Sequence, residues 1–496
     1  MSRHCSEKSA VLRAGRACAK LWDKLDRPIA ERAVKSNRGV AILLVMTYII
    51  VMSATVVSSF MNSQVSFMIS SNVRDDLKAY YKAKSALNLG RLMLTYQYEL
   101  EEDEFFSQRI KRSKFQMYSI MDILMKPFKT GIISVDVPGA NHTIASYDLQ
   151  SAGVDAMGDE TGDYNVKVVP EAGRLNINKF STGANQNELY DFCMMMAGSQ
   201  YNELFDLSTG DEVKMSRMEL LAALIDWVDP DSEKTYISDQ CTLEDSGGDE
   251  ANLYNDMRKK YKVKNAKFTT LDELYEVAGF GDDLMEAFGE TLTVYPVTKI
   301  NVNLASAKVL YSALCNAVSD ESSGSSKSGN NDNRLWACSD PMIGTQLFAL
   351  SMALEGYQQF ASNPMNLLYV YTVENEKSII PGVTGNGSIV PFRNVSEFYK
   401  VVQAMIKDST LVPKFIQYSP TAYIMYGENI TTLLGTSFGL SNLTFNTTQL
   451  YKNITVESPR IFRMTAVGEY GGTQRKISVV IDFNTTGGKF LYWREY

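Results

Sequence analysis

The chain has 496 residues, 45% of them hydrophobic and 21% charged, so it is long enough for two or three folded units and is neither wholly disordered nor a multi-span membrane protein. Residues 1–39 hold 10 Lys and Arg against 4 Asp and Glu, whereas the whole chain has a net charge of −8. An acidic body argues against contacts with a phosphate backbone, and two histidines leave few schemes for triad catalysis or zinc binding. We therefore predict that the protein binds no nucleic acid and is not an enzyme.

The first predicted element is a membrane-spanning helix. No residue from Val40 to Val73 is charged, and residues 40–61 are long enough to cross a bilayer. Because the basic residues precede this span, the positive-inside rule places residues 1–39 in the cytoplasm and the body outside it. Apolar residues continue at helical spacing as far as Leu94, which predicts one long helix. An ordinary signal anchor and a cleaved secretory signal are the alternatives.

The start of this helix resembles a type IV prepilin processing site. Arg38 and Gly39 stand directly before the apolar run that begins at Val40. In that family a prepilin peptidase cuts after the glycine, so the resemblance implies cleavage behind Gly39 and N-methylation of Val40. Most members have Glu at the fifth mature position, where this chain has Leu44. That departure is typical of the K-type minor pseudopilins of type II secretion, which cap a filament.

Two groups of strands are predicted, one near residue 132 and one at the carboxyl end. Residues 101–130 predict a helix that ends in a turn at Gly131. Alternating β-branched residues predict strands over Ile132–Val137, Thr143–Leu149 and Tyr164–Val169. Residues 461–470, 475–483 and 489–496 predict three more, joined through glycine pairs. We expect all of these strands to share one antiparallel sheet, with the residues between the two groups inserted into it.

The inserted region predicts helices in two related units. The segment EAGRLNIN, residues 171–178, is similar to INVNLASAKVL, residues 300–310, and helical sequence follows each. Residues 319–333 are rich in Ser, Gly and Asn, which predicts a surface loop. Cys315 and Cys338 flank this loop, and a disulfide and two free buried thiols are both open for them. With Cys193 and Cys241 also outside the cytoplasm, the sequence predicts one or two disulfides.

An acidic segment, residues 226–250, is the densest group of candidate ligands. Carboxylates arranged around a turn suit Ca²⁺, which accepts six to eight oxygen ligands in loose geometry. A solvated acidic loop is the alternative. Asp226, Asp229 and Asp231 are also the candidates for acid–base chemistry of the glycosidase kind, which we consider less favoured than a metal site or a solvated loop.

The acidic segment also resembles the K-type pseudopilins, which have a DWxDxD segment, then GxE, N-x-x-F and an LxEL helix, and calcium in their helical domain. Asp229, Asp231 and Glu250 match this pattern, and Asp239 and Asp249 are added because they lie near it in the sequence. The resemblance thus implies calcium as cofactor, with these five residues as its ligands. PFRNVSEFY and GKFLYWRE are further family landmarks, and they occur in family order.

The implied fold class is α+β, with a long N-terminal transmembrane helix, a pilin-like antiparallel sheet, and a large inserted helical domain of two helix-hairpin-helix or SAM-like units. The predicted divisions are a basic prepilin leader (1–39), the N-terminal helix and its extension (40–130), the first part of the sheet (131–175), the first helical unit with the acidic segment (176–300), the second helical unit (301–458) and the C-terminal strands (459–496).

The implied function is that of a minor pseudopilin in the bacterial inner membrane, with its body in the periplasm. Such a subunit sits at the tip of the type II pseudopilus, initiates assembly, limits filament length and helps protein export across the outer membrane. Implied partners are the I- and J-type minor pseudopilins, the major pseudopilin and the prepilin peptidase, with secreted substrates or the secretin beyond them. We expect the helix face at Leu77, Tyr80 and Leu87 to pack against the other minor pseudopilins.

Two alternatives remain from the sequence. A minor pilin of a related type IV pilus would have the same processing site. LDELYEVAGFGDDL and NVNLASAKVL also resemble helix-hairpin-helix units, which in a membrane-anchored DNA-uptake factor would present backbone amides to phosphate. Carboxylates, rather than basic residues, surround these hairpins, which argues against that second alternative.

Overall fold

The structure is a computed structural model, and it describes residues 37–103, 116–130, 132–136, 143–148, 162–182, 186–205, 215–239, 241–244, 248–255, 261–319, 338, 341–362, 391–427, 440, 443–485 and 487–496. Apart from residues 37–39 and Ser319, the predicted leader and the predicted loop lie outside the described residues. The chain divides into two compact units, Met1–Lys78 and Ala79–Tyr496, and each is described by itself.

The described residues form α-helices, β-strands and short 3-10 helices. The α-helices are α1 (Asn37–Glu102), α2 (Met121–Thr130), α3 (Gln186–Met196), α4 (Arg217–Val228), α5 (Ala251–Asn255), α6 (Asp282–Phe288), α7 (Ala307–Ala317), α8 (Pro341–Ser362), α9 (Val395–Lys407), α10 (Leu411–Ile416), α11 (Pro420–Tyr426) and α12 (Thr447–Asn453). The strands are β1 (Ile132–Asp136), β2 (Thr143–Asp148), β3 (Tyr164–Pro170), β4 (Leu175–Asn176), β5 (Tyr236–Ile237), β6 (Leu243–Glu244), β7 (Leu292–Thr293), β8 (Ile300–Asn301), β9 (Val318–Ser319), β10 (Thr444–Phe445), β11 (Ile454–Thr455), β12 (Ile461–Tyr470), β13 (Thr473–Asp482) and β14 (Lys489–Glu495). The 3-10 helices are Met117–Ile120, Ile177–Thr182, Ser199–Phe205, Leu271–Glu276 and Gly289–Thr291.

The first unit contains the apolar part of α1. Every side chain from Val40 to Ser70 is exposed, although most of them are apolar. Exposure of so much apolar surface to water is unfavourable, whereas a lipid bilayer accommodates it. Within the described residues, α1 is the one helix long and apolar enough to cross a membrane, judged by length and composition. The predicted long N-terminal helix is confirmed, and it fits a single-pass membrane anchor.

The second unit is built on a four-stranded antiparallel sheet with the order β14-β13-β12-β3. Strand β12 pairs with β13 from Ile461 opposite Asp482 onward, and on its other side Phe462 lies opposite Pro170 of β3. A strand from the first half of the chain is therefore the neighbour of strands from its end. Residues 171–460 form an insertion between them.

Strands β1 and β2 differ from the sequence prediction. They form a two-stranded antiparallel hairpin, with Ile132 opposite Asp148, and within the described residues they pair with no other strand. A short connection lets two antiparallel strands satisfy each other's backbone groups. The expectation that they join the sheet of β3 is therefore corrected.

Helix α1 packs on one face of the four-stranded sheet. Alternate residues of β13, among them Ile477 and Val479, are fully buried against Leu87 and Leu94 of the helix, as the alternation predicts. A Cβ at Gly468 would collide with the backbone oxygen of Ala79, so glycine permits the close approach of helix and strand. This packing corrects one expectation, because Leu87 is buried in its own chain and is not free to contact another subunit.

The insertion contains a backbone clasp that occurs twice. Asn178 accepts the backbone N–H of Phe268 at 2.7 Å and donates to its carbonyl oxygen at 2.9 Å. Asn303 makes the same pair of bonds with Phe392, at 2.8 and 2.9 Å. In both units the backbone N–H of this asparagine donates at 3.0 Å to the side-chain oxygen of the asparagine two residues before it.

The residues after each phenylalanine repeat as well. The N–H of Thr269, one residue after Phe268, donates to Glu273 at 3.0 Å, and the N–H of Arg393, one residue after Phe392, donates to Glu397 at 2.8 Å. Each asparagine also follows a two-residue strand in a parallel pair, β4 with β7 and β8 with β11. The insertion thus holds two units with one local architecture. Their helix-hairpin-helix or SAM-like character, and the exact domain boundaries, stay predictions.

Glu171 connects the sheet to the insertion. Its fully buried carboxylate accepts the Arg463 Nε donor of β12 at 2.8 Å and the Thr293 hydroxyl of β7 at 2.7 Å. The Arg174 guanidinium lies 3.4 Å from the same carboxylate. Because a buried carboxylate is stable only with such partners, this ion-pair group fixes the first residues of the insertion against the sheet.

Candidate metal centre

Helix α4 carries two carboxylates into the protein interior. It begins with a capping box, in which the Ser216 hydroxyl accepts the N–H of Glu219 and the Glu219 carboxylate accepts the N–H of Ser216 at 2.9 Å. Every residue from 220 to 228 is buried, so the helix is enclosed by the core. Asp226 lies in its last turn, and Asp229 is its C-cap. Both acids therefore lie at the negative end of the helix dipole, where a cation is favoured.

Glu250, at the end of the acidic segment, lies near the C-terminal end of α4. The two limbs of the segment pair through a bridge between Glu233 and Asp249 and through the Lys234 N–H, which donates to the Gly248 oxygen at 2.9 Å. Helix α5 follows at once.

Two aromatic rings hold the ends of the segment together. Tyr254 of α5 is fully buried, and its ring lies 5.7 Å from that of Trp227, which stands between the two aspartates of α4. Packing on both sides thus places Glu250 beside the end of α4.

The three acids form a buried cluster. One carboxylate oxygen from each of Asp226, Asp229 and Glu250 lies within 4.8 Å of the other two, and the residues are 3%, 6% and 3% exposed. Buried carboxylates this close together repel one another unless they are protonated or share a cation. We call these three residues the carboxylate cluster.

Several oxygens at the cluster lack a protein donor. Among the described residues, Asp229 Oδ1, Glu250 Oε1 and Asn265 Oδ1 are buried and accept no hydrogen bond, whereas Asp226 Oδ1 accepts the Thr235 N–H at 2.8 Å. Asn265 has a backbone φ of +47°, which is uncommon for a residue with a side chain. Its amide nitrogen donates to the Asp231 backbone oxygen, and its side chain also interacts with Glu250.

Burial raises the pKa of every member of the cluster, and repulsion within the cluster raises those of Asp229 and Glu250 further. Burial raises the pKa of Asp226 to about 6. Burial, with the charges of Asp231 and Asp226, raises the pKa of Asp229 to about 7. Burial, with the charges of Asp226 and Asp229, raises the pKa of Glu250 to about 8. Near neutral pH the cluster therefore holds protons that a divalent cation would displace.

The donor set fits a hard divalent cation. Orphaned, buried oxygens from carboxylates and an amide are the ligands that Ca²⁺ prefers, and no sulfur or imidazole ligand is in the cluster. Asp226, Asp229, Glu250 and Asn265 are the residues that would hold it. A bound cation would supply the positive charge that the three acids lack.

The cluster overlaps only in part with the ligands predicted from the sequence. The structure brings Asp229 and Glu250 together, but it leaves Asp231, Asp239 and Asp249 exposed and outside the cluster. Asp231 accepts the Glu233 N–H at 3.0 Å, and Asp249 accepts the Ala251 N–H at 2.9 Å, so both stabilise surface turns. The family motif selected Asp231, and nearness to that motif selected Asp239 and Asp249, whereas burial selects the cluster.

Asp226 was considered only for acid–base chemistry and was not predicted to belong to the cluster. It precedes Asp229 by three residues, a spacing that places both on one face of a helix. Asn265 opens the N-x-x-F landmark and was not counted as a ligand either. Helical spacing would have placed Asp226 beside Asp229 from the sequence alone.

Two disulfides cross the insertion. Cys315 is bonded to Cys338, which is one of the two states that the sequence left open. Cys193 on α3 is bonded to Cys241 in the turn between β5 and β6, a pairing that the sequence did not predict. Both are consistent with an oxidising compartment.

The predicted processing residues lie in the first unit. Val40 and Leu44 are exposed on α1, and Gly39 is partly buried near its start. Their roles in cleavage, methylation and tip formation stay predictions.

Comparison with known proteins assigns the insertion. Residues 173–297 match the family model described as Type II secretion system (T2SS), protein K. This stretch is about a quarter of the chain, and it contains the whole carboxylate cluster. The insertion is thus similar to a component of type II secretion. The resemblance to the K-type pseudopilins that the sequence indicated is thus confirmed over residues 173–297.

Other comparisons add less. A search of curated proteins found no match. One similar solved structure is a chain of the GspK-GspI-GspJ complex from the enterotoxigenic Escherichia coli Type 2 Secretion System, with a TM-score of 0.38 and 9% identity. That likeness covers 86% of this chain and 99% of the other. Because the TM-score is low, the assignment rests on the protein K match.

Proposed function

We propose that this chain is the minor pseudopilin at the tip of a type II secretion pseudopilus, where it initiates assembly, limits filament length and helps proteins across the outer membrane. The match of residues 173–297 to protein K carries the proposal. Residues 40–61 anchor the chain in the inner membrane, and the body lies in the periplasm. A prepilin peptidase cuts behind Gly39, and Val40 is then methylated. The chain performs no bond chemistry of its own.

Two observations support a tip position. The insertion spans residues 171–460, so the body is far larger than its four-stranded sheet requires. A large body at the end of a filament leaves no room for a further subunit above it. Leu44 also lacks the carboxylate that would pair with a neighbouring amino terminus.

The partners that we propose are the I- and J-type minor pseudopilins, followed by the major pseudopilin, with secreted substrates or the secretin beyond them. In the second unit, Tyr81, Leu92 and Tyr96 of α1 are each 56–57% exposed, whereas Leu87 is buried. Exposed apolar side chains along one helix are suited to a protein contact. We therefore replace the expected contact residue Leu87 by these three.

Co-purification tests the partner proposal. The tagged chain, co-expressed with I- and J-type pseudopilins and extracted in detergent, is expected to purify as a three-protein complex. Leu92→Asp combined with Tyr96→Asp should weaken it, because a charge is costly in an apolar contact. Tyr423→Asp is the matched control, since Tyr423 is 68% exposed on α11 of the insertion. Absence of any complex, together with salt-dependent binding of duplex DNA, would favour the DNA-uptake alternative.

We also propose that the carboxylate cluster and Asn265 bind Ca²⁺, which is the cofactor. The orphaned oxygens of Asp229, Glu250 and Asn265 support this proposal, because they leave ligand positions that no protein donor fills. Ca²⁺ tolerates loose geometry and oxygen ligands, whereas Mg²⁺ demands a near-ideal octahedron and Zn²⁺ favours nitrogen and sulfur.

Calorimetric titration of the full chain in detergent tests the calcium proposal. We expect Ca²⁺ to bind to the wild type and Glu250→Gln to lower the affinity by about 10–100-fold, as losses at metal sites commonly do. Asp239→Asn is the control, because Asp239 is exposed and lies outside the cluster. Equal affinity in the two variants would remove Glu250 from the site.

A further inference from the structure

A disulfide ties the tip of the acidic segment to helix α3. Cys241 is fully buried and bonded to Cys193, which is 2% exposed on that helix. The Cys241 N–H donates to the Ser238 oxygen at 2.8 Å, and its φ of +56° is uncommon for a residue with a side chain. The turn between β5 and β6 is thus shaped so that Cys241 points inward.

Few other groups anchor this part of the segment. Between Pro230 and Asp249, the described residues that are buried are Ile237 and Cys241. The bridge between Glu233 and Asp249 joins the two limbs to each other and does not join them to the core. The disulfide and Ile237 hold the middle of the segment against the rest of the insertion, together with partly buried Leu243 and the Thr235 N–H, which donates to Asp226.

The carboxylate cluster needs such an anchor. Asp226 and Asp229 belong to the buried end of α4, whereas Glu250 arrives on the return limb of the segment. Ionised, the three acids repel one another, and this repulsion favours movement of the return limb away from α4, against the packing of Tyr254 on Trp227. A covalent tie on the segment limits that movement.

We infer that the Cys193–Cys241 disulfide preorganises the carboxylate cluster for a divalent cation, so that cation binding and this disulfide stabilise each other. The inference rests on the calcium site proposed above. Coupling between two sites is reciprocal. If the disulfide favours the closed segment that binds Ca²⁺, then bound Ca²⁺ must oppose the opening that exposes the disulfide to a reductant.

The chemical step is ordinary thiol–disulfide exchange. A thiolate of a dithiol reductant, such as dithiothreitol, attacks one cysteine sulfur, and the other cysteine leaves as a thiolate. The second thiol of the reductant then displaces the first cysteine and closes a cyclic disulfide. Two electrons pass from the dithiol to the cystine, and the two protons of the dithiol end on the two cysteine thiols.

The chain contains its own control for this step. Cys315 and Cys338 form a second disulfide with the same burial, at 0% and 3% exposure. It lies at the end of α7, outside the acidic segment. General stabilisation of the protein by Ca²⁺ would protect both bonds, whereas local coupling protects the first.

The experiment measures reduction of each bond separately in the full chain in detergent. Dithiothreitol is added with Ca²⁺ or with a chelator, thiols are alkylated at intervals, and peptide mass spectrometry quantifies each cysteine. We expect Ca²⁺ to slow reduction of Cys193–Cys241 by about tenfold, within the range typical of coupled sites, and of Cys315–Cys338 by less than about twofold. Equal protection of both bonds would overturn the inference.

A second measurement approaches the coupling from the other side. The double variant Cys193→Ser with Cys241→Ser should bind Ca²⁺ about tenfold more weakly than the wild type, while Cys315→Ser with Cys338→Ser should bind it unchanged. If the first variant does not fold, the reduction experiment on the wild type decides alone. Binding of Ca²⁺ with unchanged affinity would contradict the inference but leave the calcium site intact. Failure of the wild type to bind Ca²⁺ would instead end both proposals.

Discussion

The two units of the insertion have the same backbone clasp, but their buried acids differ in how many hydrogen-bond donors they have. Asn178 with Phe268 and Asn303 with Phe392 make matching hydrogen bonds. Beside the second clasp, Glu355 of α8 is buried and accepts four donors, namely the N–H groups of Ala307 and Thr421 and the hydroxyls of Ser419 and Thr421. The carboxylate cluster of the first unit has orphaned oxygens instead.

This difference distinguishes an acid that stabilises the fold from acids that are suited to bind a cation. A buried acid that protein donors satisfy contributes to stability, whereas a buried cluster that they leave unsatisfied needs a proton or a cation. The repeated clasp shows that one local architecture serves both units. The acidic segment adds the carboxylate cluster, our proposed cation site, to the first unit.

Removal of a clasp should have the largest effect. Asn178→Ala deletes two hydrogen bonds to Phe268 and one to the Val294 oxygen, all in the interior. Because buried groups left unpaired cost about 1–3 kcal/mol each, we expect a loss of about 3 kcal/mol or more in the free energy of unfolding.

The matching change in the second unit tests whether the clasps are equivalent. Asn303→Ala deletes two such bonds at a partly exposed position, so we expect a loss of about 2 kcal/mol. Denaturant titration measures both values. An effect below about 0.5 kcal/mol in either variant, the size of an ordinary surface substitution, would break the equivalence.

Neutralising the acids should give opposite signs in the two units. Glu355→Gln replaces one acceptor oxygen by an NH2 group, which faces donors that then lack an acceptor. We expect this change to destabilise the protein by about 2 kcal/mol. Glu250→Gln removes repulsion from the carboxylate cluster, so in a chelator at about pH 8 it should stabilise the protein by about 1 kcal/mol. Thermal unfolding of the two variants side by side measures both signs. Destabilisation by both would show that the two acid sites are alike.

The pH dependence without a cation should follow the raised pKa values. With native pKa values of about 6 to 8, the folded cluster binds more protons than the unfolded chain above about pH 4. Stability that depends on these protons is present at low pH and is lost as the pH rises through the native values.

We therefore expect the chelated protein to lose on the order of 1–2 kcal/mol of stability between about pH 5 and pH 8, and Glu250→Gln to lose less. Added Ca²⁺ should restore stability most at the upper end, because it no longer competes with protons there. A flat or rising profile for the chelated wild type would contradict the raised pKa values.

Much of the scaffold followed from the sequence. The uncharged run after Val40 predicted the long helix, and alternation through Ile477 and Val479 predicted the strand faces. Similar segments at residues 171–178 and 300–310 predicted two related units. These features are local, and a helix or strand period records them directly.

Long-range placement was harder to predict. The sequence could not show that β1 and β2 pair apart from the sheet, or that Cys241 meets Cys193. It also favoured Asp231, which matches the family motif, and Asp239 and Asp249, which lie near it, because neither criterion weighs the burial of an acid. Asp226 was missed for the same reason, since only the packing of α4 shows that its carboxylate is enclosed.

The most direct test of the proposed function is the mass and the N-terminal sequence of the membrane-extracted protein, with and without an active prepilin peptidase. We expect a mature chain that begins with methylated Val40 when the peptidase is active, and an unprocessed chain when it is not. A chain that keeps Gly39 in the presence of the active peptidase would contradict the assignment of this protein to the tip of a pseudopilus.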